Sequence, residues 1–135
     1  MQLQCLNRKT WVAATPEELV RQTWLAHLQE RGFPLSLISV EKELGAVSAP
    51  LRRTDILCYG KGNEGLYPLL LIECKAVRLT KKAQNQAIGY NHFIKAPFLA
   101  VANAQEIQLG WRGAEGYQFV NHLPSYEELT KAFAP

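Results

Sequence analysis

The sequence predicts an α/β domain, and three observations predict it. Arg53 to Tyr59 alternates in a strand-like way, with Ile56 and Cys58 on one face and Asp55, Leu57 and Tyr59 on the other. A second extended segment, Tyr67 to Lys75, is almost wholly apolar until Glu73. Leu79 to Lys95 then carries Leu79, Ala83, Ala87, Tyr90 and Ile94 at helical spacing, before a further apolar stretch from Phe98 to Ala102.

The elements follow in chain order. Thr15 suits an N-cap and Pro16 the first helical position, while Glu17 and Glu18 lie where the helix dipole favours acids. Val20, Trp24 and Leu28 form the buried stripe of that helix, and Gly32 ends it. Gly60 to Gly65 is dense in turn formers and joins the two extended segments into a hairpin. Pro97 closes the helix that follows. Ile107 to Trp111 and Tyr117 to Val120 read as a terminal hairpin, and Ser125 caps a last short helix carrying Leu129 and Phe133.

Chemistry concentrates at the end of the second extended segment. A hairpin folded about residue 64 sets Asp55 opposite Glu73, because each lies nine residues from that centre. Side chains alternate along a strand, so Glu73 and Lys75 share a face while Cys74 points away. Directly paired Cβ atoms sit about 4.5 to 5.5 Å apart, close enough for two carboxylates to share an ion. Mg²⁺ prefers oxygen ligands, so Asp55, Glu73 and the backbone carbonyl of Cys74 are candidate ligands for Mg²⁺ or Mn²⁺. Such an ion lowers the pKa of bound water and offsets charge developing on phosphorus. Lys75 would orient that water or stabilise the transition state as a cation. The expected reaction is metal-dependent cleavage of a phosphodiester. Without that use, Glu73 and Lys75 would be an ordinary solvated pair.

Gln86 and Tyr90 lie four apart on one side of the following helix. Asp55, Glu73-Cys74-Lys75 and Gln86…Tyr90 together resemble the core of the PD-(D/E)XK nuclease superfamily. In detail the chain is similar to the N-terminal nuclease domain of type I restriction enzyme R subunits. The likeness runs from Pro16-Glu17-Glu18-Leu19-Val20-Arg21-Gln22 through Val40-Glu41 and Arg53-Thr54-Asp55-Ile56 to Ala102-Asn103. It implies a restriction-endonuclease-like core, a central mixed β-sheet flanked by helices, with residues 1–135 forming one such domain. It implies that Asp55 and Glu73 bind metal, that Lys75 assists the water, and that cleavage of DNA leaves a 5′-phosphate. Glu18 would be the acid of the first helix, with Glu17 an alternative for the side that faces the site. Gln86 and Tyr90 would support the site, and Glu41 matches a position often acidic in these domains. Thr54 stands where the family often has Pro or Ala. R subunits continue into a helicase-like motor, but no Gly-Lys-Ser/Thr phosphate loop occurs in these residues, so ATP-driven translocation is not expected of them.

Composition is compatible with that reading. A chain of 135 residues that is 47% apolar has room for one core. No apolar run approaches the roughly 20 residues of a membrane-spanning helix, and no signal-peptide pattern opens the chain. Cys5, Cys58 and Cys74 are spaced wrongly for zinc, and a reducing cytoplasm is the expected setting. Net charge is +3, and Lys75, Arg78, Lys81 and Lys82, with Arg52 and Arg53, form a rim suited to a phosphate backbone. The expected partner is DNA, with a separate motor or specificity protein and a homodimer as further candidates. The rival expectation is a catalytically silent module of the same fold that binds nucleic acid or protein. His27, His92 and His122 lack metal-binding spacing, and Trp11 and Trp111 are read as packing residues.

Overall fold

A computed structural model describes residues 2–4, 11–13, 15–43 and 53–133, with side chains from 15–40 and 56–133. Two short strands, β1 (Gln2–Gln4) and β2 (Trp11–Ala13), pair as an antiparallel ribbon. Helix α1 (Pro16–Glu30) follows, then a single 3₁₀ turn at Leu35–Leu37. The main sheet comprises β3 (Ile38–Glu43), β4 (Arg53–Gly62), β5 (Gly65–Cys74), β6 (Phe98–Ala102), β7 (Ile107–Gly113) and β8 (Gly116–Val120), in that spatial order. Helix α2 (Lys81–Ile94) joins β5 to β6, and α3 (Tyr126–Ala132) closes the described chain.

Every neighbouring pair in the sheet is antiparallel except β5 and β6, whose parallel pairing is what the long α2 crossover permits. The sheet is therefore mixed and flanked by helices. On one face Val20, Trp24, Leu25 and Leu28 of α1, with Leu129 of α3, pack against Ile56, Leu70, Ile72 and Ala100. On the other, Ala83 and Ala87 of α2 pack against Leu57, Leu71, Leu99 and Val101. Alanines let α2 lie close to the sheet, whereas α1 fills its side with larger residues. Each fully buried leucine contributes about 1.5 to 3 kcal/mol through removal from water. Cys58 and Cys74 belong to the first core, and neither forms a disulfide.

The caps explain the helix boundaries. Thr15 Oγ1 accepts from the Glu18 amide at 3.1 Å, and Pro16 occupies the first turn, as the sequence suggested. Gly32, at φ 87°, follows the end of α1. Helix α2 begins two residues later than its apolar spacing indicates, because Thr80 caps it by accepting from the Ala83 amide at 3.1 Å. Its other end is closed by Lys95 in left-handed backbone, φ 62°, two residues before Pro97. That conformation costs a non-glycine residue roughly 1 kcal/mol. Asn91 braces the bend: its side chain donates to the Ala96 carbonyl at 2.7 Å and accepts from the Ala96 amide at 2.8 Å.

The hairpin reading needs one correction. The loop is only Asn63–Glu64, and the strands run on through Gly62 and Gly65. Gly60, read as a turn former, is a strand residue opposite Tyr67, whose ring occupies the space a Cβ would need. A two-residue loop centred between 63 and 64 would misalign Asp55 and Glu73 by one residue. A β-bulge removes the mismatch, since Cys58 pairs with Leu70 but Tyr59 with Pro68, leaving Leu69 as the extra residue. Leu69 and Leu70 consequently both join the α1-side core. No helix among the described residues is long and apolar enough to cross a membrane.

Candidate functional site

Backbone register and one side-chain contact bring some of the predicted positions together where β5 ends. Register places Ile56 opposite Ile72, and one further step sets position 55 opposite Glu73. Val40 opposite Ile56 and Lys42 opposite Thr54 bracket position 41 against position 55. Positions 41, 55 and 73 thus form one row across β3, β4 and β5, all three acidic in sequence. The Glu41, Arg53 and Asp55 side chains, and Arg52 entirely, lie outside the described residues.

Glu73 is 5% exposed and follows Leu71 by two, so it shares the α2 face of the sheet. Burying a carboxylate is costly unless charge or hydrogen bonding compensates. Lys75 is half-buried just beyond the strand, its amide donating to the Ala102 carbonyl at 2.8 Å. That bond continues the β5–β6 ladder past Cys74 and fixes where the lysine leaves the sheet. Its Nζ donates to Gln86 Oε1 of α2 at 3.4 Å. Two residues singled out in sequence, eleven apart, therefore meet. Tyr90 lies one turn beyond Gln86, half-buried against the α2-side core.

The first helix resolves its two acids. Glu17 is exposed and Glu18 is 4% exposed. Arg21 Nη1 donates to Glu18 Oε1, and Gln22 Nε2 donates to Glu18 Oε2 at 2.7 Å. Arg21 is itself buried, so this is a desolvated ion pair, one the apolar stripe of the helix did not suggest. Arg78, Lys81 and Lys82 are all exposed where the chain leaves β5 and enters α2. Among the described side chains, no three His, Cys, Asp or Glu come together to hold a metal.

Asn103 is a residue that sequence reasoning passed over. Its side chain donates to the Val77 carbonyl at 3.2 Å and accepts from the amides of Gln105 at 3.0 Å and Glu106 at 2.9 Å. Its carbonyl accepts from Trp24 Nε1 at 2.7 Å. It therefore ties α1, the segment after Lys75 and the β6–β7 turn together beside the site. Its only sequence signal is a polar residue directly after a buried strand.

Residues 16–124 match the family described as type I restriction enzyme R protein N terminus. The chain belongs to that family. Its fold is similar to a fragment assigned as an HsdR subunit of a type I restriction enzyme from Vibrio vulnificus YJ016, with a TM-score of 0.61 at 17% identity. The match covers 97% of this chain and 25% of that one, so the chain spans a quarter of the longer protein's length. No curated protein matches the chain. Membership makes this a restriction-enzyme, nuclease-like domain, and its sheet and flanking helices are those expected of it.

Proposed function

We propose that this domain hydrolyses phosphodiester bonds in DNA with Mg²⁺ or Mn²⁺, as an endonuclease that nicks or cuts. The observation that carries the reading is the contact between Lys75 and Gln86 beside the buried Glu73 carboxylate at the end of β5. The donor set suits a hard divalent cation: Glu73, Asp55 opposite it by register, and the Cys74 carbonyl offer oxygen alone. When bound, the ion supplies an activated water and a counter-charge for the phosphate.

The chain's own residues do the rest. Lys75 presents an ammonium to charge developing on the scissile phosphate, and Gln86 holds that ammonium in place. Tyr90, one turn beyond Gln86, packs against the α2-side core, and Glu41 extends the acidic row. Glu18, oriented by Arg21 and Gln22, completes the set as a supporting acid. Arg78, Lys81 and Lys82, with Arg52 and Arg53, hold the backbone without reading sequence. Because a similar fold occupies a quarter of an R-subunit fragment, a motor or specificity protein is the natural partner.

A plasmid-nicking assay with Mn²⁺ tests this. The parent protein should cut, and Asp55→Ala and Lys75→Ala should not. Equal cutting by the variants would mean a contaminating nuclease. DNA binding without cutting by the parent would support the silent-module reading instead.

A further inference from the structure

At the far end of α2 from Lys75 lies a cleft of about 360 Å³ whose lining includes two cations, Lys95 and Arg112. His92 and Lys95 line it from the helix, and Arg112 and Tyr117 from β7 and β8. The Arg112 guanidinium sits 5.4 Å from the Tyr117 ring centroid, which holds the cation at the rim. No carboxylate lines the cleft among the described residues. His92, Lys95 and Arg112 are exposed, and the bend beneath them is stiffened by the paired hydrogen bonds of Asn91 and Ala96.

Lys95 supplies a second, independent sign. It is the one non-glycine at positive φ among the described residues. Helix α1 is followed by a glycine in the corresponding left-handed backbone, Gly32, whereas α2 closes on a lysine. Glycine would fit position 95 with less strain. A cation kept at a strained position points to a use for its charge.

We propose that this cleft binds a backbone phosphate of duplex DNA, at a second point remote from the bond being cut. The inference deepens the nuclease reading and rests on it. Two routes give the separation. The nine steps from Gln86 to Lys95, at the end of α2, rise roughly 13 Å, and the four steps of β6 from Phe98 to Ala102 span about 13 Å. A duplex presents phosphates all along its axis, so one held near Lys75 would also bring a phosphate within reach of the cleft. A duplex lying along α2 would be held at Arg78, Lys81 and Lys82 near one end and at the cleft near the other. Two anchors would set its angle to the site, which one patch cannot do.

The test measures binding of a fluorescently labelled duplex of about 20 base pairs by anisotropy, without divalent metal, across a salt series. Lys95→Gly and Arg112→Gln should each weaken binding several-fold. Each should also flatten the slope of log K against log salt by about 0.9, the share of one phosphate contact. Lys95→Gly should melt no lower than the parent, which separates lost charge from lost fold. An unchanged affinity and slope in the double variant would overturn the proposal, as would a parent that binds no duplex. The two readings fail separately. A parent that binds through the cleft yet never nicks with Mn²⁺ sinks the nuclease, and one that nicks while the double variant binds normally sinks the cleft.

Discussion

The hairpins β4–β5 and β7–β8 turn alike and then diverge. Each has a two-residue loop, Asn63–Glu64 or Ala114–Glu115, followed by a glycine at φ 115° or 113°. Each also pairs a strand glycine with an aromatic, Gly60 with Tyr67 and Gly110 with Phe119. In β7–β8 one register runs unbroken from Gly113–Gly116 to Leu109–Val120. In β4–β5 it shifts at Cys58/Tyr59, and beyond the shift position 55 faces Glu73. The irregular hairpin carries acids at its far end, and the regular one carries none there. A turn alone does not say which residues meet at the far end of a ribbon, because a single extra residue moves every partner by one.

The sharpest way to break this comparison is to alter the acid end of each hairpin. Glu73→Gln and Lys75→Ala should lower the plasmid-nicking rate at least about 100-fold. Gln108→Ala, on β7 in the same cross-sheet row, should leave it unchanged. Equal losses would deny β5 its special place. Next in size is the bulge itself. Leu69→Ala should cost about 2 to 5 kcal/mol in urea unfolding, while Gln118→Ala on the exposed edge of β8 should cost under about 0.5.

Gly60→Ala and Gly110→Ala should be alike, each costing about 1 to 3 kcal/mol because a ring must move. A marked inequality would show that the bulge lets Tyr67 relax where Phe119 cannot. The smallest effect is a titration. Burial pushes the Cys58 thiol above its ordinary 9.0. The folded state therefore favours the neutral thiol, so its contribution to stability is complete below pH 9 and declines as pH rises above it. Melting temperatures from pH 7 to 10 should fall above 9 more in the parent than in Cys58→Ala.

Much of this architecture is written locally. Thr15 and Ser125 announce their helices because a side-chain oxygen answers an amide three residues on, at 3.1 Å in both. For α3 the reciprocal bond from Glu128 makes a full capping box and lowers that carboxyl's pKa, chiefly through the Ser125 amide. The bulge was hidden because Leu69-Leu70-Leu71-Ile72 is apolar throughout, and alternation cannot reveal parity where every residue is of one kind. Gly60 reads as part of the turn because a glycine excluded from bearing a side chain by a cross-strand ring looks the same in sequence as one bending the chain. The strand β3 and the ribbon β1–β2 escaped notice, since their short segments carry little periodicity.

The site divides in the same way. Lys75 and Gln86 were legible because strand end and helix face place them together, and they do meet. The partners of Glu18 were not, because Arg21 and Gln22 look like ordinary helix-surface residues and burial is a tertiary fact. Lys95 was invisible as a candidate, since only its backbone angle distinguishes it from any other lysine at a helix end.

Manganese binding followed by electron paramagnetic resonance puts the heart of the account to a single trial. The parent should take up one ion, Asp55→Asn and Glu73→Gln should lose it, and Lys75→Ala should keep it. Uptake undiminished in Glu73→Gln would contradict the account.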